Sequence, residues 1–545
     1  MAKRMTTIFF IVLGCVALLM SLMFLVLFLA PGFSLLGIKY LRAGTHVLST
    51  GAVNIYETVG EGFNGSIILE TNEIPVTVYF TQAQNDNVLN NGFSFTYYDN
   101  FQGFTTSEFD DPSYTITKDL VGNVTIKTKE YEKLIYESGS SERYINLYIP
   151  LVYVDKANMG EQVNLTINAG KAPITFIKTQ EDDLRIPAFN KINIKTNGEV
   201  AFNTSVYATT YEYSTNNSIE ISEDKTKGID AHNFKLTSNR GAVTVKRDVA
   251  GNIEATTNSR DIKVLSCKNL IAKTTYGSVK CYSGEKAITT TGLVNIETKS
   301  GDVSLGKIQG IGENIIKTGT GNVSIDSIEN GTLETSAGAV RIKTLNNFQI
   351  TTNVGKVVVE EAKTKVDVNT KRGNIVIGGN GMSVGEVSAY SRLGKINVVG
   401  ASGKVNLQTV QNNINFENGS STDITISSGK AVVATNLQGK VDIFATTKAD
   451  IVFDKITDTT KITLGDTCTS AKVEALKNTV SNTKYLISGK SAVLWVSNGE
   501  GTGTFSKQRV ESKMDNVQTL VGEYPYFSIT GKNADISVYF NTDQI

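Results

Sequence analysis

Side chains able to perform catalysis or to bind metals are few in this sequence and lie far apart. The chain has only two histidines, His46 and His232. Acidic residues are scattered, and the adjacent pair Glu360-Glu361 would point to opposite sides of a strand. General acid–base cleavage of a sugar polymer needs acidic groups that converge on one face. The sequence therefore predicts no catalytic residue and, since it has no metal-binding or phosphate-loop motif, no metal and no cofactor.

The cysteines allow two interpretations. Cys267 and Cys281 could form a disulfide across neighbouring turns of a repeat outside the cell. Alternatively, both could be buried as small apolar side chains. Four cysteines in 545 residues are too few for a disulfide scaffold or a zinc array.

The charge balance limits the classes of partner. Lys plus Arg and Asp plus Glu both number 53, so the formal net charge is zero. Such a chain has no overall electrostatic attraction to nucleic acid, so no nucleic-acid partner is predicted. A carbohydrate or a surface protein remains as a ligand, and the sequence does not indicate the oligomeric state.

The element that must position any site is a repeat that begins near residue 190. Its unit is Thr or Ser, two residues, Gly, one residue, apolar, one residue, apolar, as in TTYGSVKC (274–281), TGTGNVSI (318–325) and TKRGNIVI (370–377). Where copies are consecutive, the Gly positions are 17 to 21 residues apart. Arg260 and Asn412 replace Gly in two copies, and extra copies at 292 and 301 interrupt the spacing. The predicted turn glycines are Gly241, Gly277, Gly292, Gly301, Gly321, Gly338, Gly355, Gly373 and Gly394.

The pattern predicts a parallel β-solenoid of about 17–21 residues per turn, right- or left-handed. Alternating apolar residues indicate strands with one buried face, and Gly or Asn indicates a corner with positive φ. The Thr or Ser three residues earlier can hydrogen-bond the corner backbone. Residues 188–524 contain no proline, as hydrogen-bonded strands require. At about 18 residues per turn, residues 190–480 would form roughly 16 turns.

The N-terminal segment predicts a membrane anchor. Residues 8–30 form an uncharged, mostly apolar run, long enough for a hydrocarbon core of about 30 Å. Pro31 directly after it argues against signal cleavage. We therefore predict one transmembrane helix through residues 7–30, with the bulk of the chain outside the cytoplasm.

The flanks of the repeat are richer in aromatic residues than the repeat itself. This contrast predicts an irregular β region before the solenoid and a C-terminal cap after it, which could instead be an adhesive tip. The predicted division is a cytoplasmic tail, a signal anchor, a juxtamembrane linker, the aromatic-rich β region, the solenoid and the cap: 1–6, 7–30, 31–44, 45–187, 188–480 and 481–545.

The repeated units carry a family resemblance. Residues 143–178 have a strand ending in Ile149-Pro150, a loop and an apolar–Thr–Gly–strand unit. With the later Gly-containing copies, this resembles a bacterial adhesin family of unknown function. The resemblance covers roughly residues 140–450 and implies a β-solenoid at the cell envelope, with no catalytic residues to transfer.

Together these features predict a membrane-anchored cell-surface protein. Its role would be adhesive or structural, acting through surface contacts and not through catalysis. Two alternatives remain, a carbohydrate-active β-helix enzyme of the envelope and a self-assembling envelope scaffold.

Overall fold

A computed structural model describes residues 2–29, 42–50, 53–55, 65–82, 92–105, 114–119, 122–128, 134–137, 142–155, 163–181, 183–281, 289–290, 292–379, 383–478, 483–497, 505–509 and 526–540. The chain divides into two compact units, treated separately below. The first contains residues 1–217 and 221–237, and the second contains residues 218–220 and 238–545. The linker predicted over 31–44 lies almost entirely outside the described residues.

The elements up to residue 238 are two helices and sixteen described strands. The helices are α1 (Ala2–Leu29) and α2 (Leu151–Val154). The strands are β1 (Arg42–Ser49), β2 (Val53–Asn54), β3 (Ser66–Glu70), β4 (Val76–Thr81), β5 (Ser94–Thr105), β6 (Tyr114–Lys118), β7 (Val124–Thr128), β8 (Leu134–Glu137), β9 (Glu142–Pro150), β10 (Asn164–Gly170), β11 (Ile174–Lys178), β12 (Ala188–Thr196), β13 (Val200–Phe202), β14 (Ser205–Thr215), β15 (Ile219–Ile221) and β16 (Gly228–Ser238).

Strands alone make up the described structure of the remaining chain. They are β17 (Val243–Thr257), β18 (Ile262–Thr274), β19 (Val279–Cys281), β20 (Thr289–Thr290), β21 (Val294–Ser300), β22 (Val303–Ile308), β23 (Asn314–Thr320), β24 (Val323–Ala337), β25 (Val340–Val354), β26 (Val357–Thr370), β27 (Ile375–Ile377), β28 (Val384–Ser391), β29 (Ile396–Ala401), β30 (Val405–Thr409), β31 (Ile414–Asn418), β32 (Asp423–Ser428), β33 (Ala431–Leu437), β34 (Lys440–Ala445), β35 (Lys448–Phe453), β36 (Thr460–Leu464), β37 (Ser470–Ala475), β38 (Lys484–Ser497), β39 (Phe505–Arg509) and β40 (Tyr526–Phe540).

The N-terminal segment is helical, but the predicted transmembrane helix is wrong. Among the residues that the structure describes, no helix is both long and apolar enough to cross a membrane.

The first unit already contains parallel strand stacking. β3 pairs in parallel with β10, and β10 with β12. Alongside them, β4 pairs in parallel with β11, and β11 with β13. Antiparallel strands adjoin this ladder, since β6 pairs with β7 and β5 with β9. The region predicted to be irregular therefore has regular pairing, and buried rings of neighbouring strands stack on each other, with the centroids of Phe80 and Phe176 6.3 Å apart.

The β-solenoid repeat is confirmed. Turns of parallel solenoid recur over residues 188–475, about 14 in number and not the roughly 16 expected. In the second unit a turn contributes either one long strand, as in β24 and β25, or two shorter ones, as in β29 and β30, and equivalent residues of successive turns lie in register. One such column is Val323, Val340, Val357, Ile375, Ile396 and Ile414, all at most 1% exposed. Each of these side chains contributes about 1.5–3 kcal/mol by leaving water.

The Thr or Ser of the repeat hydrogen-bonds the corner backbone, as predicted, and also joins two turns. Thr274 Oγ1 accepts a hydrogen bond from the Gly277 N–H at 3.0 Å and donates one to the Arg260 carbonyl of the preceding turn at 3.2 Å. Ser391 does the same with the Gly394 N–H and the Gly373 carbonyl, at 2.8 and 2.9 Å. Both side chains are buried, so each hydroxyl satisfies two backbone groups that have lost access to water.

The glycine of the repeat is required by close approach of the preceding turn. A Cβ atom on Gly373 would lie 1.7 Å from the Gly355 carbonyl oxygen, and one on Gly394 would lie 1.8 Å from that of Gly373. The explanation from positive φ is wrong for most of these corners. Of the predicted turn glycines, only Gly338 and Gly355 have φ in that range, at 146° and 143°.

The residue after the glycine forms a second side-chain ladder. Asp302 Oδ1 accepts a hydrogen bond from the Asn322 N–H at 2.7 Å, and Asn322 Oδ1 accepts one from the Ala339 N–H at 2.9 Å. Asn374 Oδ1 accepts one from the Lys395 N–H at 2.8 Å. Asp and Asn recur after Gly because their short side chains reach the backbone of the next turn.

The extra repeat copy at Gly292 belongs to a different corner. Val294 pairs with Leu270, in the strand that precedes the Thr, and not with the Val279 column. Gly277 is followed in its own column by Gly301, whose Cβ would lie 2.0 Å from the Gly277 carbonyl oxygen. The irregular Gly spacing in this part of the repeat therefore comes from one longer turn, between Gly277 and Gly301, and not from additional short turns.

The C-terminal strands stack out of chain order. β40 pairs in parallel with β36 and β37 on one edge and with β38 on the other. β39 then pairs antiparallel with residues 493–497 of β38. An antiparallel strand covers a ladder edge that would otherwise accept another parallel strand.

Candidate functional site

The residues that the sequence analysis selected lie at the corners and in the core of the solenoid. They do not come together at one site. The turn glycines Gly277, Gly301, Gly321, Gly338, Gly355, Gly373 and Gly394 follow one another along one corner of the second unit. Gly292 lies at another corner, where its Cβ would meet Asn269 Oδ1 at 2.0 Å. Gly241 lies in the first corner of this unit, and its carbonyl accepts a 2.8 Å hydrogen bond from Thr257 Oγ1.

The two candidate disulfide cysteines are buried. Cys267 and Cys281 are 3% and 2% exposed. Cys267 is a free cysteine, so the pairing is not formed in this structure. Burial raises the pKa of the Cys267 thiol, and the neighbouring Cys281 raises that pKa further. A thiol kept protonated in this way is a weak nucleophile and a poor metal ligand.

The concave feature of interest is a groove of about 430 Å³ beside β23, β24, β25 and β26, here called the corner groove. One wall is the loop that bears Ile311, which is 85% exposed. Asn330 Nδ2 holds this loop by donating a 2.7 Å hydrogen bond to the Ile311 carbonyl. The polar groups that line the groove include Glu313, Asn347, Gln349, Lys365 and Asp367.

A sheet surface of five successive turns continues from the corner groove, here called the polar face. It consists of two outward-facing columns on the strands that precede the Thr. The first column is Gln349, Asp367, Ser388, Asn406 and Thr425. The second is Thr351, Asn369, Tyr390, Gln408 and Ser427. All ten side chains are exposed or half-buried, and Gln349 and Asp367 also line the corner groove.

Unlike the equivalent residues of the preceding turns, these side chains have no partner among the residues that the structure describes. Within the described ranges, no side chain of the polar face forms a hydrogen bond or ion pair, and neither do those of Glu313, Asn347 and Lys365. In the turns just before, residues of the second column pair with one another: Lys273 with Glu297 at 3.8 Å, and Lys317 with Glu334 at 3.5 Å. The polar face therefore keeps its full hydrogen-bonding capacity for an external group.

The solenoid fixes where these groups point. Each side chain of the polar face alternates with a buried residue, such as Val366, Val368 and Ile426, and each strand is paired on both sides. Backbone motion is therefore small, and a ligand would meet groups that are already ordered. The arrangement suits the binding of an extended surface more than the chemistry of a single bond.

Sequence reasoning missed the polar face, although a signal for it exists. The four strand segments VDVNT (366–370), VSAYS (387–391), VNLQT (405–409) and ITISS (424–428) align, with mostly uncharged polar residues at their second and fourth positions. The repeat pattern covers the strand after Gly, whereas the polar face lies on the strand before Thr, outside that pattern.

Comparison with known proteins adds no relative. No protein-family model, curated protein or solved structure matches the chain. The resemblance to the bacterial adhesin family therefore stays a prediction.

Proposed function

We propose that this protein acts by adhesive or structural contact and not by catalysis. The observation that carries the proposal is the polar face, whose side chains have no partner within the described part of the chain. Nearby charged side chains such as Lys343 and Asp326 satisfy each other. An unpaired polar surface on a rigid scaffold is what a contact site requires.

An extracytoplasmic location belongs to the same proposal. This part of the proposal states only that the solenoid meets its target outside the cytoplasm. It does not require a particular means of attachment to the cell. Protease treatment of intact cells tests it. Degradation of the solenoid in intact cells is expected, and complete protection until lysis would contradict it.

The contact role is tested by presenting the full chain to a panel of glycans, matrix proteins and whole cells. We expect saturable retention on at least one surface, with no chemical change to that surface. Absence of retention on every member of the panel would refute the proposal.

One observation favours a second candidate, a carbohydrate-active enzyme. Glu313 and Asp367 line the same corner groove and form no ion pair within the described residues. Most enzymes that hydrolyse a glycosidic bond use a pair of carboxyl groups. This candidate predicts release of reducing ends from a polysaccharide, abolished in Glu313→Gln and in Asp367→Asn. Retention without release, unchanged by either substitution, would exclude it.

A further inference from the structure

The polar face is almost without charge. Nine of its ten side chains are amides, hydroxyls or a phenol, and Asp367 is the exception. Binding to nucleic acid or another polyanion draws its free energy largely from the release of counterions by basic residues. The polar face has no basic residue, so its ligand must be recognised by hydrogen bonds and by shape.

The chemistry of these side chains points to hydroxyl groups on the ligand. Amides and hydroxyls both donate and accept hydrogen bonds, as the hydroxyls of a neutral sugar also do. The cores of protein–protein interfaces, by contrast, are enriched in aromatic residues and Arg and depleted in Ser. A face of Ser, Thr, Asn and Gln matches a sugar better than a protein surface.

The spacing of the polar face points to a polymer. Equivalent side chains recur about every 4.8 Å from turn to turn, so the five turns extend about 19 Å. The second column also contains Tyr390 and, one turn beyond Ser427, Phe444, which is 39% exposed. These rings are three turns, or about 14 Å, apart, and could each cover the apolar face of a sugar ring.

We propose that the polar face binds a neutral polysaccharide laid across successive turns, with the corner groove accommodating part of the same chain. Gln349 and Asp367 belong to both features, so the bound polymer would pass from one to the other without a gap. The inference rests on the proposed contact function and names the class of ligand. Binding is non-covalent, and no bond of the polymer is broken.

The test measures retention of the full chain on insoluble polysaccharides. The neutral set is cellulose, chitin, starch and β-1,3-glucan, and the acidic set is pectate and alginate. The variant Tyr390→Ala/Asn406→Ala/Gln408→Ala removes three contacts from the polar face. Its matched control is Asn397→Ala/Asn415→Ala, which removes outward side chains from the other strand of the same turns.

We expect retention on at least one neutral polysaccharide, little changed between low salt and about 0.5 M salt. The polar-face variant should lose at least about tenfold in affinity, since each lost hydrogen bond costs about 1 kcal/mol, and the control should bind like the native chain. Retention only on acidic polysaccharides, abolished by salt, would overturn the inference, as would equal binding by variant and control.

The two proposals fail differently. If the full chain is retained on cells or matrix proteins but on no neutral polysaccharide, the ligand class is wrong and the contact role stands. If it is retained on no surface at all, the contact role itself is wrong. Circular dichroism of each variant establishes that a loss of binding is not a loss of folding.

Discussion

Thr274→Val and Thr335→Val are the same nearly isosteric substitution, yet we expect only the first to destabilise the protein. Both threonines occupy the first position of the repeat and are buried, at 6% and 5% exposed. Thr274 Oγ1 makes two hydrogen bonds, with the Gly277 N–H and the Arg260 carbonyl. Thr335 Oγ1 has no hydrogen-bond partner among the described residues.

The magnitudes follow from these contacts. Valine at 274 removes two hydrogen bonds of about 1 kcal/mol each and leaves a buried N–H and a carbonyl unsatisfied, for a total loss of about 2–4 kcal/mol. Valine at 335 removes a buried hydroxyl that pays a desolvation penalty without a bond in return. It should be neutral or stabilise the chain by about 1 kcal/mol.

Amide hydrogen exchange read by mass spectrometry is the suitable assay, because a repeat array can unfold locally. Peptides that cover residues 274–281 should exchange roughly 30-fold to 1,000-fold faster in Thr274→Val. Peptides that cover 335–342 should exchange at the native rate or more slowly in Thr335→Val. Equal acceleration in both variants, or none in Thr274→Val, would refute the role assigned to the hydroxyl ladder.

Three further predictions concern the glycine corner, the C-terminal strand and the buried thiol. Gly373→Ala should lower the free energy of unfolding by about 3 kcal/mol, measured in urea, whereas Gly465→Ala, whose Cβ would meet nothing closer than 3.4 Å, should change it by at most about 0.5 kcal/mol. Val538→Lys places a charge at a fully buried position of β40 and should cause self-association on size-exclusion chromatography, whereas Ser537→Lys on the outer face should leave the elution volume unchanged. Cys267 should resist a thiol reagent that labels the exposed Cys15 at once. Because its pKa is raised in the folded state, the native protein holds this proton longer, so stability should fall above about pH 8.5 by up to about 1.4 kcal/mol per pH unit. Cys267→Ala should make that dependence weaker, and the buried Cys468, whose pKa is also raised by burial, should account for part of what remains.

The repeat was predictable because one residue pattern encodes several contacts at once. Val323 and Ile325 alternate with polar residues, and Thr318 and Gly321 precede them at fixed distances. Each of these residues contacts the equivalent residue one turn away. Residues separated by one repeat period in the sequence are therefore neighbours in space. The bond from the Thr hydroxyl to the corner backbone was predictable from the position of Thr, whereas its second bond, to the preceding turn, was not.

Other features depend on information that a local pattern lacks. Gly292 and Gly277 lie in the same sequence pattern, but strand pairing shows that Gly292 belongs to another corner. A glycine at a corner usually indicates positive φ, whereas Gly373 is needed because the Gly355 carbonyl oxygen approaches too closely for a Cβ atom. The insertion of β40 between β37 and β38 joins segments far apart in the chain, and nothing in either segment signals the other.

The polar face could not be predicted from a local sequence pattern either. Gln408 and Tyr390 are ordinary solvent-facing residues when each strand is viewed alone. Their significance comes from their register across turns and from the absence of side-chain partners within the described structure. Both are properties of the assembled solenoid.

Hydroxyl-radical footprinting of the full chain, free and bound to the surface that retains it, tests the central claim most directly. Tyr390 and Phe444 lie on the polar face column, and Tyr276, which is 68% exposed, lies at a corner away from it. Binding should protect Tyr390 and Phe444 from oxidation and leave Tyr276 unchanged. Protection of Tyr276 without Tyr390 and Phe444, or equal protection of all three, would contradict it.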